Sequence, residues 1–406
     1  MAVTRPPAWK KVVAVSTPEA RRATFGEVFA IREFRALWAS YVLSAAGDRL
    51  ALVALTLLVY DRTRSPLLAA VAFAAGTLPY LGGALFLSGL ADRFRRREVM
   101  VGCDVIRAAL VGAMLLPGMP LDALLVLLYA VTAFQPPFDV ARSATVRDVV
   151  QGERYALAQA ILQSTGRFMM VAGAAAGGLV VALAGARPAL GIDVATFAAS
   201  AALIRFGVRA RPAAAPQSGP SPLLQLGAGM RVVFGDPALR TLLMLGWLVA
   251  FYEIPSGIAA PYASRIGGGA VAAGLLIAGA QVGAAVGIPL FTKRIGPLTR
   301  LKWMGPMAVC TGGVLLLTAF RPGLAVSLAI FAVSGAFGMY LIAANIAFVE
   351  RLPNERRAQG LGLANAGLVV GQGLGFLLAG AAAEVVPPST VIALGGGLGA
   401  LAACGL

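Results

Sequence analysis

The chain of 406 residues contains no histidine and only three cysteines, Cys103, Cys310 and Cys404. Without imidazole it lacks a common metal ligand and the side chain that normally titrates near neutral pH, so proton chemistry must rest on carboxylates. The cysteines lie far apart inside apolar runs, a spacing that suits neither a metal site nor a disulfide framework. Acid is scarce too, with 18 Asp and Glu against 34 Lys and Arg. Charged residues make up 13% of the chain and hydrophobic ones 59%, where a soluble domain carries about 25% charge. The chain is therefore read as a membrane protein. No Gly-x4-Gly-Lys-Ser/Thr stretch occurs, which excludes that nucleotide cradle and, with it, ATP drive. No cofactor, metal or enzymatic activity is expected.

What is present is a series of apolar runs, each near the ruler of about 20 residues that spans a bilayer. Six fall within residues 36–206 and six within 238–406. The third is read as Val99–Pro117 and the last as Ser389–Leu406. Residues 1–35 form a basic segment with no long apolar core, so a cleaved signal peptide is rejected; Thr17–Pro18 reads as a helix start there. Residues 207–237 form a linker containing Pro212, Pro216, Pro220 and Pro222, with a short surface helix over Leu223–Phe234. The expected fold is all-α, with twelve transmembrane helices in two pseudo-symmetric six-helix bundles. The final run is short for a hydrocarbon core and has no basic tail, which leaves room for a truncated last helix.

Net charge of +16 would suggest nucleic acid in a soluble chain. Here the basic residues sit in alternate loops. One side carries Arg93, Arg95, Arg96, Arg97, Arg142, Arg147, Arg154, Arg205, Arg209, Arg211 and their counterparts in the second half; the other carries Arg62, Arg64, Arg187, Arg265 and Arg321. By the positive-inside rule the first side, and with it the N-terminus, is cytoplasmic. No nucleic acid is expected as a partner. The 49 glycines suit closely packed membrane helices. Two features repeat between the halves. Arg35 precedes Asp48 by the same interval as Arg240 precedes Glu253, and Gly173-x3-Gly177 is echoed by Gly371-x3-Gly375.

The loop Gly89–Leu90–Ala91–Asp92–Arg93–Phe94–Arg95–Arg96–Arg97 resembles the signature between helices 2 and 3 of the major facilitator superfamily. Ser44–Asp48, Tyr60–Pro66, Phe138–Ala144 and Asp193–Phe197 resemble the branch containing macrolide-efflux proteins and the enterobactin exporter. The resemblance implies two bundles rocking about a central cavity faced by helices 1, 4, 7 and 10. It also implies a multi-pass protein of a bacterial cell membrane. Gly173, Gly177 and Gly178 are the nearest match to the family's helix 5 exporter motif, whose proline position is Ala174 here; they are read as a helix-packing motif.

Charges inside hydrocarbon are costly unless paired or hydrated, so they are the first candidates for function. Asp48 and Glu253 are read as cavity carboxylates binding protons or cationic substrate, against the alternative of permanent pairing, such as Asp48 with Arg49. Arg167 is expected to pair with a buried acid such as Asp48, the alternative being a substrate anion. Asp104 and Arg107 are expected to form a local i, i+3 pair, and Asp193 to be a structural acceptor near the outer surface. Gln135 and Asn345 are ranked first among the uncharged polar residues. Gly89, Asp92, Arg93, Arg96, Arg97 and Arg142 are assigned a conformational gate, in which Asp92 accepts from the start of helix 11 and pairs with an arginine such as Arg142. The expected activity is proton-coupled efflux of a small apolar or amphipathic compound such as a drug, macrolide or siderophore. The partners would be substrate, protons and lipid, with the chain acting as a monomer. An importer or lipid flippase on the same fold, or a membrane sensor without transport, are the alternatives.

Overall fold

The computed structural model describes residues 23–87, 89–211, 222–294 and 296–406. Among these, all regular structure is helical. The helix start at Thr17–Pro18 and the prolines at 212, 216 and 220 lie outside the described residues, as do the side chains of Asp92, Lys293 and Arg294. The main helices are α1 Arg32–Thr63, α2 Pro66–Phe86, α3 Arg96–Met114, α4 Leu121–Val149, α5 Glu153–Ala184 and α6 Ala186–Gly207. After a connecting helix, Pro222–Phe234, follow α7 Pro237–Gly257, α8 Gly269–Arg294, α9 Thr299–Phe320, α10 Leu324–Arg351, α11 Asn354–Val385 and α12 Pro388–Cys404.

Ten of these are long and apolar enough to cross a membrane, among the described residues. The two that fall short sit where the sequence places a span. Helix α3 carries Arg96, Arg97, Glu98, Asp104 and Arg107 within its 19 residues, and α12 has 17 residues. At 1.5 Å per residue, α12 reaches only about 26 Å of a core about 30 Å thick.

Local chemistry sets the helix ends. Ser65 caps α2, its Oγ accepting from the Leu68 N–H at 3.1 Å, with Pro66 at the first helical position. Asp236 caps α7 in the same way, accepting from Ala238 N–H at 2.9 Å ahead of Pro237. It also accepts from Arg351 of α10 at 2.7 Å. Besides α2, which turns at Ala75–Thr77 just before Leu78–Pro79, three helices break in mid-course. Helix α4 breaks at Phe134, just before Gln135–Pro136–Pro137; α7 breaks at Glu253, two residues before Pro255; α10 breaks at Gly338 and Met339. Proline removes a backbone donor and crowds the carbonyl four residues back, so two of the breaks follow directly from sequence.

Glycine then sets how closely the helices approach. A Cβ at Gly177 would meet Val53 at 3.1 Å and Leu50 at 3.3 Å, so α5 rests on α1. In the second half, a Cβ at Gly371 would meet the Ala250 side chain at 3.4 Å and one at Gly375 the Ala250 carbonyl at 2.6 Å, so α11 rests on α7 in the same manner. Gly283 of α8 and Gly335 of α10 meet the opposing helix backbone so closely that any side chain would overlap a carbonyl. Small residues permit such contacts where no hydrophobic drive exists between helices.

The two halves meet mainly at the arginine-poor end. A Cβ at Gly178 of α5 would come within 2.6 Å of the Ala270 carbonyl and 3.0 Å of Gly274 Cα in α8. Gly380 of α11 lies against Leu67 and Ala70 of α2, and Phe73 meets Phe376 edge-on at 5.1 Å. Glu384 accepts from Ser65 Oγ at 2.5 Å and from Leu67 N–H at 3.0 Å. The structure is thus sealed at the end bearing Arg64 and Arg187.

Two tests follow from this packing. Gly178→Val should prevent the seal, so that spin labels at positions 65 and 384, in a background with the native cysteines replaced by serine, move apart in pulsed electron resonance. An unchanged distance would show that the α5–α8 contact does not control closure. The Arg351 hydrogen bond holds the Asp236 carboxyl below its ordinary range. Its contribution to stability is therefore full above the ordinary carboxylate range and is lost as pH falls through the lowered value. Asp236→Asn should flatten the acid side of the stability profile in detergent, measured by thermal unfolding.

Candidate functional site

Two cavities adjoin where the halves meet, one lined by the first half apart from Gln281 and the other by the second half apart from Arg167. One of about 490 Å³ is lined by Asp48, Gln135, Asp193, Arg167 and Gln281 among others. The second, of about 450 Å³, is lined by Glu253, Asn345, Tyr252, Arg167 and Gln281 among others. Arg167 and Gln281 border both, so the two spaces adjoin. All five candidates for substrate or proton thus sit around one divided cavity. Gln135 and Glu253 lie at the breaks in α4 and α7, and Asn345 follows the break in α10. Irregular backbone at membrane depth is tolerated where it borders a cavity, because the freed polar groups find partners there.

The partners of these residues differ from those expected from sequence. Asp48 is held by neither Arg49 nor Arg167; its carboxylate accepts a short hydrogen bond from Arg107 of α3. Arg107 also donates to Ser44 Oγ at 3.3 Å, stacks 4.3 Å from the Phe197 ring centroid of α6, and is 1% exposed. The i, i+3 pair of Asp104 with Arg107 is not formed. Asp104 instead accepts from Ser200 Oγ of α6 at 2.6 Å, and its Oδ1 has no partner. Helical spacing made the local pair possible, but α1 offers Arg107 a carboxylate in a better position across the bundle. Asp193 lies seven residues into α6, about 10 Å from its start, and is buried among the helices at 1% exposure. Thr196 Oγ1, which donates to the Asp193 carbonyl at 2.7 Å, also lies 3.3 Å from Asp193 Oδ1, and Asp193 Oδ2 has no partner.

Arg167 makes no ion pair among the described residues; it is exposed to the cavity, because Arg107 has already taken Asp48. Glu253 has neutral partners: Ser256 Oγ donates at 3.0 Å and Gln281 Nε2 at 3.3 Å. By sequence Gln281 is one of several uncharged polar residues in the spans, ranked behind Gln135 and Asn345; its place beside two cavities marks it out. Among the described residues, no group of three or more Asp, Glu or Cys side chains could hold a metal ion.

In the gate region, Arg142 pairs with Asp139 at 2.9 Å and lies 4.0 Å over the Tyr41 ring. Arg96 pairs with Asp148 at 2.5 Å, and Arg97 donates to the Val208 carbonyl at 3.4 Å. Gly89 and Arg93 are exposed at the loop. The Asp92 carboxylate lies outside the described residues. Gly173 faces the Arg49 Cβ of α1 and Gly177 the next turn of the same helix, whereas Gly178 faces α8.

Removing one partner from a buried ion pair leaves an uncompensated charge, at a typical cost of about 3–5 kcal/mol. Arg107→Gln should therefore lower the unfolding midpoint in detergent sharply, and Arg107→Gln with Asp48→Asn should recover part of the loss. Equal midpoints for the single and double variants would show that the two side chains are not coupled.

Comparison with known proteins agrees with this architecture. "Multidrug efflux pump Tap" of Mycobacterium bovis (strain BCG / Pasteur 1173P2) is 27% identical over 365 residues, covering 84% of each chain. A POT family transporter in complex with a thioalcohol-conjugated peptide superposes with a TM-score of 0.75 at 10% identity, over 92% of this chain and 95% of that one. A bacterial homolog of the human lysosomal transporter Spinster, in an inward-facing and unoccupied conformation, gives 0.65 at 16% identity over 94% and 95%. The sequence profile of the Major Facilitator Superfamily matches residues 37–347. The chain belongs to that superfamily and is a membrane transporter, not an enzyme.

Proposed function

We propose that the chain is a proton-coupled exporter of small apolar or amphipathic compounds, working as a monomer by alternating access. In this reading residues 36–206 and 238–406 are the two moving bundles, α3 and α12 complete twelve spans, and residues 207–237 link them. The observation that carries the reading is the placement of one carboxylate from each half, Asp48 and Glu253, on adjoining cavities. The resemblance to Tap, a multidrug efflux pump, points to efflux rather than uptake. With the arginine-rich end in the cytoplasm of a bacterial cell, by the positive-inside rule, the seal at the opposite end makes this the inward-facing state.

Coupling then follows from charge. A carboxylate exposed to water on one side is tolerated; the same carboxylate enclosed between bundles in hydrocarbon is not, unless it is protonated or paired. Protonation therefore favours states in which the cavity is occluded, and proton release favours open ones, a population shift through differential affinity. Glu253, with only serine and glutamine donors, is the simpler proton carrier. Arg167, exposed between the two cavities, is available to an acidic group on the substrate, and Gln135 and Asn345 to its neutral polar groups. The loop from Gly89 to Arg97, with Asp92 and Arg142, is assigned the gate at the cytoplasmic end.

The test is export of a compound panel from cells and from proteoliposomes with an imposed proton gradient. Asp48→Asn and Glu253→Gln should each reduce gradient-driven export to the level of cells lacking the protein. Unchanged export in both variants would remove the coupling assignment.

A further inference from the structure

The first half holds more acid than its buried arginine can neutralise. Asp48 of α1, Asp104 of α3 and Asp193 of α6 all interact electrostatically with Arg107. Fully ionised, three carboxylates and one guanidinium leave two uncompensated negative charges at membrane depth. Asp48 is balanced by its ion pair, so the excess falls on Asp104 and Asp193. Their environments are alike in being dry, at 0% and 1% exposure, and each leaves one carboxyl oxygen without a partner. They differ in access. Asp193 borders the larger cavity, whereas Asp104 does not. The other cations around that cavity, Arg49 and Arg167, form no ion pair with either acid among the described residues.

Backbone contact fixes the arrangement. At Gly47, one residue before Asp48, any side chain would overlap Asp193 Oδ1 and Thr196 Oγ1, so α1 and α6 are pressed together there. The Asp48 and Asp193 carboxylates are therefore held on neighbouring turns of touching helices.

We propose that this cluster is a proton-binding site, in which Asp193 takes up the exchangeable proton from the cavity and Arg107 passes between Asp48 and Asp193 as that proton comes and goes. With Asp193 protonated, Arg107 belongs to Asp48, the arrangement seen here. When the proton leaves Asp193 Oδ2 for cavity water, Asp193 competes for the guanidinium and Asp48 is released to face the cavity. A cation entering the cavity then finds a free carboxylate only when the proton has gone. Proton and cation thus exclude each other without sharing a residue. The proposal deepens the coupling reading above and rests on it for its use in export, but proton uptake itself is measurable on the isolated protein.

The experiment is infrared difference spectroscopy of the detergent-purified protein through a pH titration, following the C=O stretch of protonated carboxyls. The wild type should show titrating bands, of which Asp193→Asn removes one and Glu253→Gln another. Asp48→Asn leaves Arg107 free for Asp193 and should move the Asp193 midpoint to lower pH by at least about one unit, a tenfold change in proton affinity. A merely structural Asp193 would not respond to Asp48 in this way. If Asp193→Asn does not fold, Thr196→Val replaces it: loss of a donor to the carboxylate should keep the band protonated to higher pH. Titrating bands identical in wild type and Asp193→Asn, or midpoints unmoved by Asp48→Asn and Thr196→Val, would overturn the proposal. If the Asp193 band titrates while export ignores the proton gradient, the coupling reading falls and the proton site stands. If export needs the gradient and no band depends on Asp193, this proposal falls alone.

Discussion

A guanidinium sealed inside a membrane bundle constrains everything packed around it. Arg107 is 1% exposed, and its charge in hydrocarbon is tolerable only with acids and hydroxyls brought to it. Asp48 and Ser44 come from α1, Asp104 from its own helix, and Phe197 from α6. Three helices are thereby fixed in rotation as well as position, because a helix turned by one residue would aim a different side chain at the arginine. A buried pair of this kind is weak evidence for stability, since apolar residues of equal volume can do as well. Its better use is to define a unique arrangement, or two arrangements of similar energy between which a proton decides.

The second half solves the same problem with almost no charge. Glu253 has a serine and a glutamine where Asp48 has an arginine, and α7 and α10 align through neutral contacts such as Tyr340 Oη donating to the Leu245 carbonyl at 3.1 Å. The bundles share their glycine seams, α5 on α1 and α11 on α7, but not their electrostatics. An ancestral duplication explains the shared seams. In the proposed mechanism, this divergence of charge lets one half answer to a proton through an ion-pair exchange and the other through a single carboxyl.

The fold was legible in the sequence because hydrocarbon thickness imposes a length that apolar runs either meet or miss. Val99–Pro117 was read three residues late at its start, since Arg96–Glu98 look like loop yet complete the first turn of α3. The same charges keep α3 below a hydropathy criterion that ten other helices pass. Which residues border the cavity was also legible, from the rarity of polar groups in spans and the resemblance that placed helices 1, 4, 7 and 10 there. Pairing was not. Asp104 and Arg107 are neighbours on a helix face, and nothing in one dimension says that α1 brings Asp48 closer. Asp193 was read as a structural acceptor, and chain order alone does not say that it packs against Gly47 of α1.

How a proton in the first half could reach the far seam is a matter of contact geometry. Gly173 and Gly177 of α5 face α1 at Arg49, Leu50 and Val53, within a turn or two of Asp48. Gly178, one residue on, faces Ala270 and Gly274 of α8. At this point α5 is therefore in backbone contact with the helix bearing Asp48 on one side and with the opposite bundle on the other. Only the first side-chain carbons of Arg49 and Val53 stand at the α1 contact, leaving little to absorb a displacement, and close-packed groups transmit strain rather than yield to it. Under the proposed exchange, a repacking of α1 as Arg107 changes partner would be felt at Gly177, and α5 would then shift against α8. A seam made of glycine backbones also has little dispersion energy to lose on parting compared with one of interlocked large side chains. The α5–α8 contact of the seal thus lies on the same helix that rests against α1 beside Asp48.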